Sequence, residues 1–388
     1  MCDLIVNIFT GRYHHRMIRL CNEGARRAAN VADGTPPIQN PNKKGSTMNT
    51  LSKALVAASL TLAYGAAAAA DIAPTVERRT AEFLTALNSG GGKPIEQLSP
   101  ADARKVLEGA QKSVKVNLPA AEVSDKVITV DGKQIKLKIV RPAGVKGVLP
   151  AFMFIHGGGW VLGDYPTHER LVRDVVESSG AVAVFVDYTR SPEAGYGVAL
   201  NEIYAATKWV AEHGKELNID GSRLAVAGNS VGGNMSAALT LMAKDKGGPT
   251  LRYQVLMWPV TDANFETGSY KQFAEGHFLT RNMMKWFWDS YTKDAAKRKE
   301  VYASPLQATL PQLKGLPPAL IQTAENDVLR DEGEAYGRKL DQAGVDVTVT
   351  RYNGMIHDFG LLNPLATLPG VRSQVLQAGA ELKKHLAK

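Results

Sequence analysis

Cysteine is nearly absent from this chain: 388 residues carry two, Cys2 and Cys21. Both fall within the first 47 residues. Beyond them a disulfide framework, a cysteine nucleophile and a thiolate metal site are excluded. Excess charge is also scarce where it would matter. The formal net charge is +8, but residues 1–70 hold eight Lys+Arg against three Asp+Glu, leaving 38 basic against 35 acidic residues in 71–388. A body that close to neutral offers a polyanion such as nucleic acid no basic surface to grip. There is no internal repeat, no low-complexity tract beyond the alanines of 66–70, and no apolar run that spans a bilayer comfortably.

What the first seventy residues do contain reads as processing. From Met48 the chain runs with Lys53 as a short positive region, "ALVAASLTLAYG" as an apolar stretch, and small residues before Asp71. That pattern predicts a Sec signal peptide over 48–70 and export to the periplasm or the medium. Residues 1–47, with "TPPIQNPNKKG" and no hydrophobic period, are expected to be a disordered leader or a misread start.

With 44% hydrophobic residues the remainder can bury a large core, and 71–388 is expected to form one domain. Two amphipathic helices are predicted first, over 74–88 and over 99–113, the second capped by Ser99 with Pro100 in its first turn. "KVITV" and "KQIKLKIV" flank Asp131-Gly132, a strong hairpin signal. Then strands and helices alternate. "LPAFMFI", "AVAVFVDY", "RLAVAG", "YQVLMW", "PALIQTA" and "VTVTRY" are apolar or β-branched runs separated by longer helical patterns. They predict an α/β fold, a mostly parallel central sheet with helices on both faces. Residues 262–304, with "MMKWFWDSY", interrupt the alternation. They form either a surface helix hairpin or, with residues 74–117, a helical cap over the carboxyl edge of the sheet, where open α/β sheets place ligands.

The segment "GNSVGG", residues 228–233, matches Gly-x-Ser-x-Gly. Composition alone would produce that match about one time in seven, so context must decide. Here a strand precedes it and the helix "NMSAALTLMAKD" follows. Strand, sharp turn and helix form a nucleophile elbow with Ser230 at its tip. A serine hydroxyl needs a base, and the base an orienting acid. His357 follows the last strand and Asp327 the one before it, so the chain order is Ser230, Asp327, His357, that of the α/β-hydrolases. Glu325, Asp331 and Glu332 crowd the same loop as Asp327, but Asp331 and Glu332 open a helix, where negative charge complements the dipole. "HGGGW", residues 156–160, supplies backbone N–H groups that can crowd an oxyanion, with His156 itself structural. Such a run could also form a plain turn or a phosphate loop, and the absence of a following Lys-Ser/Thr weakens the phosphate reading.

These segments, together with "DVLRDEG", "IHDF" and "DYTRSPEA", resemble the hormone-sensitive-lipase-like esterases and lipases, bacterial family IV of the α/β-hydrolase superfamily, from about Val76 to the C-terminus. The resemblance implies an α/β-hydrolase fold and a cofactor-free, metal-free carboxylesterase acting on small acyl esters. It implies Ser230 as nucleophile, His357 as base, Asp327 as acid, and the N–H groups of Gly158, Gly159 and Val231 as oxyanion hole. It also implies a cap from the N-terminal helices and the mid-chain insertion. Amidase, lactonase or deacetylase activity on the same triad stays open, as does a non-catalytic ligand-binding homologue. A homodimer is one option; nucleic acid and a membrane span after processing are not expected. Four residues depart from the family pattern: Asn229 stands for an acid, Val231 for alanine, Val328 for proline and Asp358 for glycine.

Overall fold

The computed structural model divides into residues 1–48 and 49–388; it describes residues 72–387, all in the second unit. The leader expected over 1–47 and the signal peptide expected over 48–70 lie outside the described residues. Among the described residues no helix is long and apolar enough to cross a membrane.

Eight strands form one sheet: β1 (Ala121–Val130), β2 (Lys133–Pro142), β3 (Leu149–Ile155), β4 (Val182–Asp187), β5 (Ile219–Asn229), β6 (Gln254–Met257), β7 (Ala319–Asn326) and β8 (Val347–Ile356). Their spatial order is β1-β2-β4-β3-β5-β6-β7-β8. β1 and β2 pair antiparallel through the Asp131-Gly132 turn, whose φ values of 48° and 75° are those of a primed hairpin turn. β2 also runs antiparallel to β4, and every pairing from β4 to β8 is parallel. The continuous apolar runs have a direct cause in the period-2 geometry of a strand. In β3, Phe152 and Phe154 enter one buried cluster while Ala151, Met153 and Ile155 enter another. β5 divides likewise, Ala225 and Ala227 against Leu224 and Val226.

Helices cover both faces. In chain order they are α1 (Arg78–Asn88), α2 (Pro100–Lys112), α3 (Tyr165–Ser179), α4 (Val198–His213), α5 (Val231–Asp245), α6 (Gly268–Gln272), α7 (Arg281–Tyr291), α8 (Leu310–Leu313), α9 (Arg330–Gln342) and α10 (Pro369–His385). Leu171 and Val175 of α3 and Ala378 and Leu382 of α10 share the cluster of Phe152 and Phe154. Ile203 and Val210 of α4 and Met235 and Leu239 of α5 share the other.

α1 starts four residues later than its periodicity predicts. The chain from Ala73 to Glu77 is occupied elsewhere: the Ala73 N–H donates to His277 Nε2 (3.1 Å), Thr75 Oγ1 to Asn326 Oδ1 (2.5 Å) and the Glu77 N–H to the Gly354 carbonyl (2.9 Å). Glu77 then caps the helix by accepting from the Thr80 N–H. "MMKWFWDSY" becomes α7, N-capped by Thr280. Its Met283 and Phe287 join Ile95 and Leu107 in one buried cluster, so the insertion and the N-terminal segment pack together.

Asp331 and Glu332 do open α9, but dipole complementarity accounts for only part of their role. Asp331 Oδ2 accepts from the Ser269 N–H (2.7 Å), and the buried Glu332 accepts at Oε1 from the Thr261 (2.7 Å) and Asp262 (3.2 Å) N–H groups. Both side chains tie the start of the insertion to the body. Burial pushes the Glu332 carboxyl well above its usual range, and the two amide donors oppose that. Glu332→Ala should cost roughly 2–4 kcal/mol in urea unfolding, since it strands two inward-facing amides, whereas Glu332→Gln, which keeps an acceptor, should stay within about 1.5 kcal/mol of the native protein.

Candidate active site

The carboxyl ends of β5, β7 and β8 bring together three side chains that lie far apart in sequence. Ser230 follows β5 at φ 55°, ψ −121°, a conformation the crowded turn imposes. A Cβ at Gly228 would collide with the Gly232 carbonyl, and one at Gly232 with the Ile155 carbonyl. Glycine is therefore required on both sides of the serine, and α5 starts pressed against the end of β3. Three backbone bonds hold the turn: the Ser230 N–H donates to the Met257 carbonyl (2.9 Å), and the Ser230 carbonyl accepts from Asn234 (3.1 Å) and Val260 (3.2 Å).

His357 Nε2 lies 3.0 Å from Ser230 Oγ, and His357 Nδ1 lies 2.7 Å from Asp327 Oδ2. Asp327 Oδ1 accepts from the Leu329 N–H (3.0 Å), which fixes the carboxylate plane. All three residues are buried, with Ser230 the most open at 4% exposure. With the Nδ1 proton held by Asp327, Nε2 is left to accept from the serine hydroxyl. Burial pulls the His357 pKa down; the charges of Asp327 and Asp358 and the bond to Asp327 outweigh it and hold it above the ordinary 6.5. Glu325 turns elsewhere, accepting from the Gly354 N–H (2.7 Å).

The loop after β3 lies beside this turn because Ile155 pairs in register with Gly228. Its first N–H, that of Gly157, is consumed by His168 Nε2 (3.2 Å) and Asn229 Oδ1 (3.0 Å). Those of Gly158 and Gly159 meet no acceptor among the described residues. Val231 opens α5, so its N–H falls outside the helical ladder. Gly158 (φ 105°), Gly159 (φ 63°) and Trp160 (φ 61°) are consecutively left-handed, and for the non-glycine Trp160 that costs about 1–2 kcal/mol. His156 is structural, as its sequence context suggests. Its Nδ1 bonds the Gly157 carbonyl (2.8 Å), its ring stacks on Tyr188 at 4.1 Å, and burial followed by repulsion from His168 holds it well below 6.5, hence neutral.

Two of the four departures from the family pattern meet in space. Asn229 Nδ2 donates to Asp358 Oδ1 (3.1 Å), which also accepts from Trp258 Nε1 (2.7 Å). Asp358 Oδ2 lies 3.9 Å from His357 Nε2. Asp358 has φ 57°, a conformation that aspartate tolerates better than most residues, so it can stand where glycine is usual. Sequence reasoning gave Asp358, Asn229 and Trp258 no joint role. The available signal was that an acid is missing at 229 and an extra one is present at 358.

Comparison with known proteins agrees with the fold. A family model described as "alpha/beta hydrolase fold" matches residues 152–361. Carboxylesterase NlhH of Mycobacterium tuberculosis is 35% identical, covering 69% of this chain and 84% of its own length. Ethyl acetate hydrolase of Pseudomonas putida is 31% identical over 72% of this chain and 90% of its own. The crystal structure of a thermostable esterase from Pseudomonas putida ECU1011 superposes with a TM-score of 0.81 at 67% identity, covering 82% of this chain and all of that one, 100%.

The electrostatics give a pH prediction with a definite sign. If His357 serves as a general base it does so only when neutral, and its pKa, raised above 6.5, then places the midpoint of the acidic limb of kcat/KM above 6.5. Asp358→Asn removes a charge that favours the imidazolium, so the limb should move to lower pH while Asp327 still orients the ring. A limb that stays in place would show that Asp358 exerts no field on His357.

Proposed function

The chain belongs to the hormone-sensitive-lipase-like esterases of the α/β-hydrolase superfamily and is a carboxylic ester hydrolase, and on that premise we propose that it is a serine carboxylesterase of short acyl esters working through an acyl-enzyme. The observation that carries the proposal is the unbroken series from Ser230 Oγ through His357 to Asp327 at 3.0 and 2.7 Å. Ser230 attacks the ester carbonyl as His357 Nε2 takes its proton. The Gly158, Gly159 and Val231 N–H groups receive the oxyanion, and the imidazolium returns the proton to the leaving alcohol. Water, activated by the same imidazole, then releases the acid.

Short-chain preference is supported by the cap. Phe287 packs directly on Gly159, where a Cβ would collide with its ring, and Trp288 lies edge-on to Trp160 at 4.8 Å. Trp286, on the same helix, is only half-buried. Large rigid side chains at that place limit the depth available to an acyl chain. Export from a signal peptide beginning at Met48 is also part of the proposal, supported by the sequence alone.

Ser230→Ala should abolish turnover of p-nitrophenyl esters. Asp327→Asn should lower kcat by up to about ten-thousandfold, the magnitude known for the corresponding change in a serine protease, because it favours the wrong imidazole tautomer. Asp331→Asn should leave the rate nearly unchanged and cost at most about 1 kcal/mol of stability. Loss of turnover in a folded Asp331→Asn protein with Asp327→Asn active would reassign the acid.

Butyrate or hexanoate esters should exceed palmitate in kcat/KM; equal turnover of emulsified long-chain triglyceride would instead indicate a lipase. Expressed from Met48 in a Gram-negative host, the protein should be recovered outside the cytoplasm with its N-terminus near Asp71. A cytoplasmic product that retains Met48 would contradict export.

A further inference from the structure

Beside the serine the run Gly158, Gly159, Trp160 holds three successive residues at positive φ, the last of them a bulky aromatic. A backbone of this kind persists only where its surroundings over-determine it. Part of the restraint is local. The Gly158 carbonyl accepts from the Val161 (3.1 Å) and Leu162 (2.7 Å) N–H groups, and the Trp160 carbonyl accepts from the Ser191 N–H (2.8 Å). The rest comes from α7. The Trp160 ring is stacked on Tyr291 with centroids 4.2 Å apart and planes within 3°, and Trp288 meets it edge-on. Phe287, one turn earlier on the same helix face, covers Gly159. Tyr291 is itself fixed: Tyr196 packs on its ring edge at 5.4 Å, and the Tyr196 N–H donates to the Tyr291 carbonyl (2.9 Å).

We propose that Tyr291 is a positioning residue for the oxyanion hole: its ring, stacked on Trp160, holds the Gly158–Trp160 turn in the conformation that leaves the Gly158 and Gly159 N–H groups free for an oxyanion. The inference rests on the serine-esterase mechanism proposed above. It adds that α7 acts on transition-state stabilisation as well as on pocket depth. Oxyanion donors act only through their placement, so a turn that relaxes by a fraction of an ångström loses rate without losing substrate affinity. A pocket-lining residue would behave differently. Its loss would fall on KM and would vary with the length of the acyl chain.

The test compares Tyr291→Ala, Tyr291→Leu, which fills space without a planar stack, and Tyr291→Phe, which keeps the ring. Each is assayed with p-nitrophenyl acetate and butyrate and titrated with a trifluoromethyl ketone, whose serine adduct carries an oxyanion. Since deleting a whole donor costs about a hundred- to a thousandfold in kcat, Tyr291→Ala and Tyr291→Leu should lose at least about tenfold in kcat, equally on both esters, with KM little moved. The ketone's inhibition constant should rise by the factor that kcat/KM falls. Tyr291→Phe should restore most of the rate. The leucine variant, confirmed folded by its thermal melt, keeps the test decisive if the alanine variant does not fold. A loss confined to KM, a loss that grows with acyl length, or an unchanged ketone affinity would overturn the inference. If Ser230→Ala retained turnover, the serine mechanism would fall instead, independently of Tyr291.

Discussion

The architecture of this site depends on one close approach of backbones. α5 begins so near the end of β3 that only glycine fits at 232, and the turn before it is so tight that only glycine fits at 228. That approach forces Ser230 into φ 55°, ψ −121°, lifts its hydroxyl off the sheet and sets the first N–H of α5 beside the loop that leaves β3. The strained conformation is stable because it is embedded in parallel strands buried on both faces, where the backbone has nowhere to relax. The positions of His357 and Asp327 follow from the same sheet, since β7 and β8 are neighbours in register and their loops leave the same edge.

Around that frame the polar groups are partitioned with little redundancy. Of the three glycine N–H groups after His156, the first is used internally by His168 and Asn229, which ties the loop to the elbow, and the next two meet no acceptor among the described residues. Asn229 can serve as acceptor toward Gly157 because its amide also donates to Asp358. A carboxylate at 229 would offer Asp358 no donor for that second bond, so the amide at 229 and the acid at 358 form one compensated pair. The consequence is a second buried carboxylate near His357, 3.9 Å from Nε2 and additional to Asp327, that favours the imidazolium.

Much of the fold was legible because its elements obey simple periods. The inner strands β3–β7 read as unbroken apolar runs since each feeds two buried clusters, whereas "VTVTRY" in the edge strand β8 is largely exposed, and Asp131-Gly132 reads as a hairpin since both residues tolerate positive φ. The order of Ser230, Asp327 and His357 along the chain was enough to predict which side chains would meet. What remained hidden was set by tertiary contacts between distant segments. The Asn229–Asp358 pair spans 129 positions. Glu332 reads as an ordinary first-turn acid until the insertion's amides are seen to converge on it. The start of α1 was missed because Ala73, Thr75 and Glu77 bond to His277, Asn326 and Gly354 instead of continuing the helix.

The central claim is that a single hydroxyl, that of Ser230, carries the chemistry. Titration of the native protein with a p-nitrophenyl phosphonate tests it most directly, read by the burst of nitrophenol and by mass spectrometry of the labelled peptide. The account predicts one phosphonyl group per chain, located on Ser230, with activity lost in proportion to labelling and no label on Ser230→Ala. Full activity in a fully labelled protein, or stoichiometric label on any other residue, would contradict it.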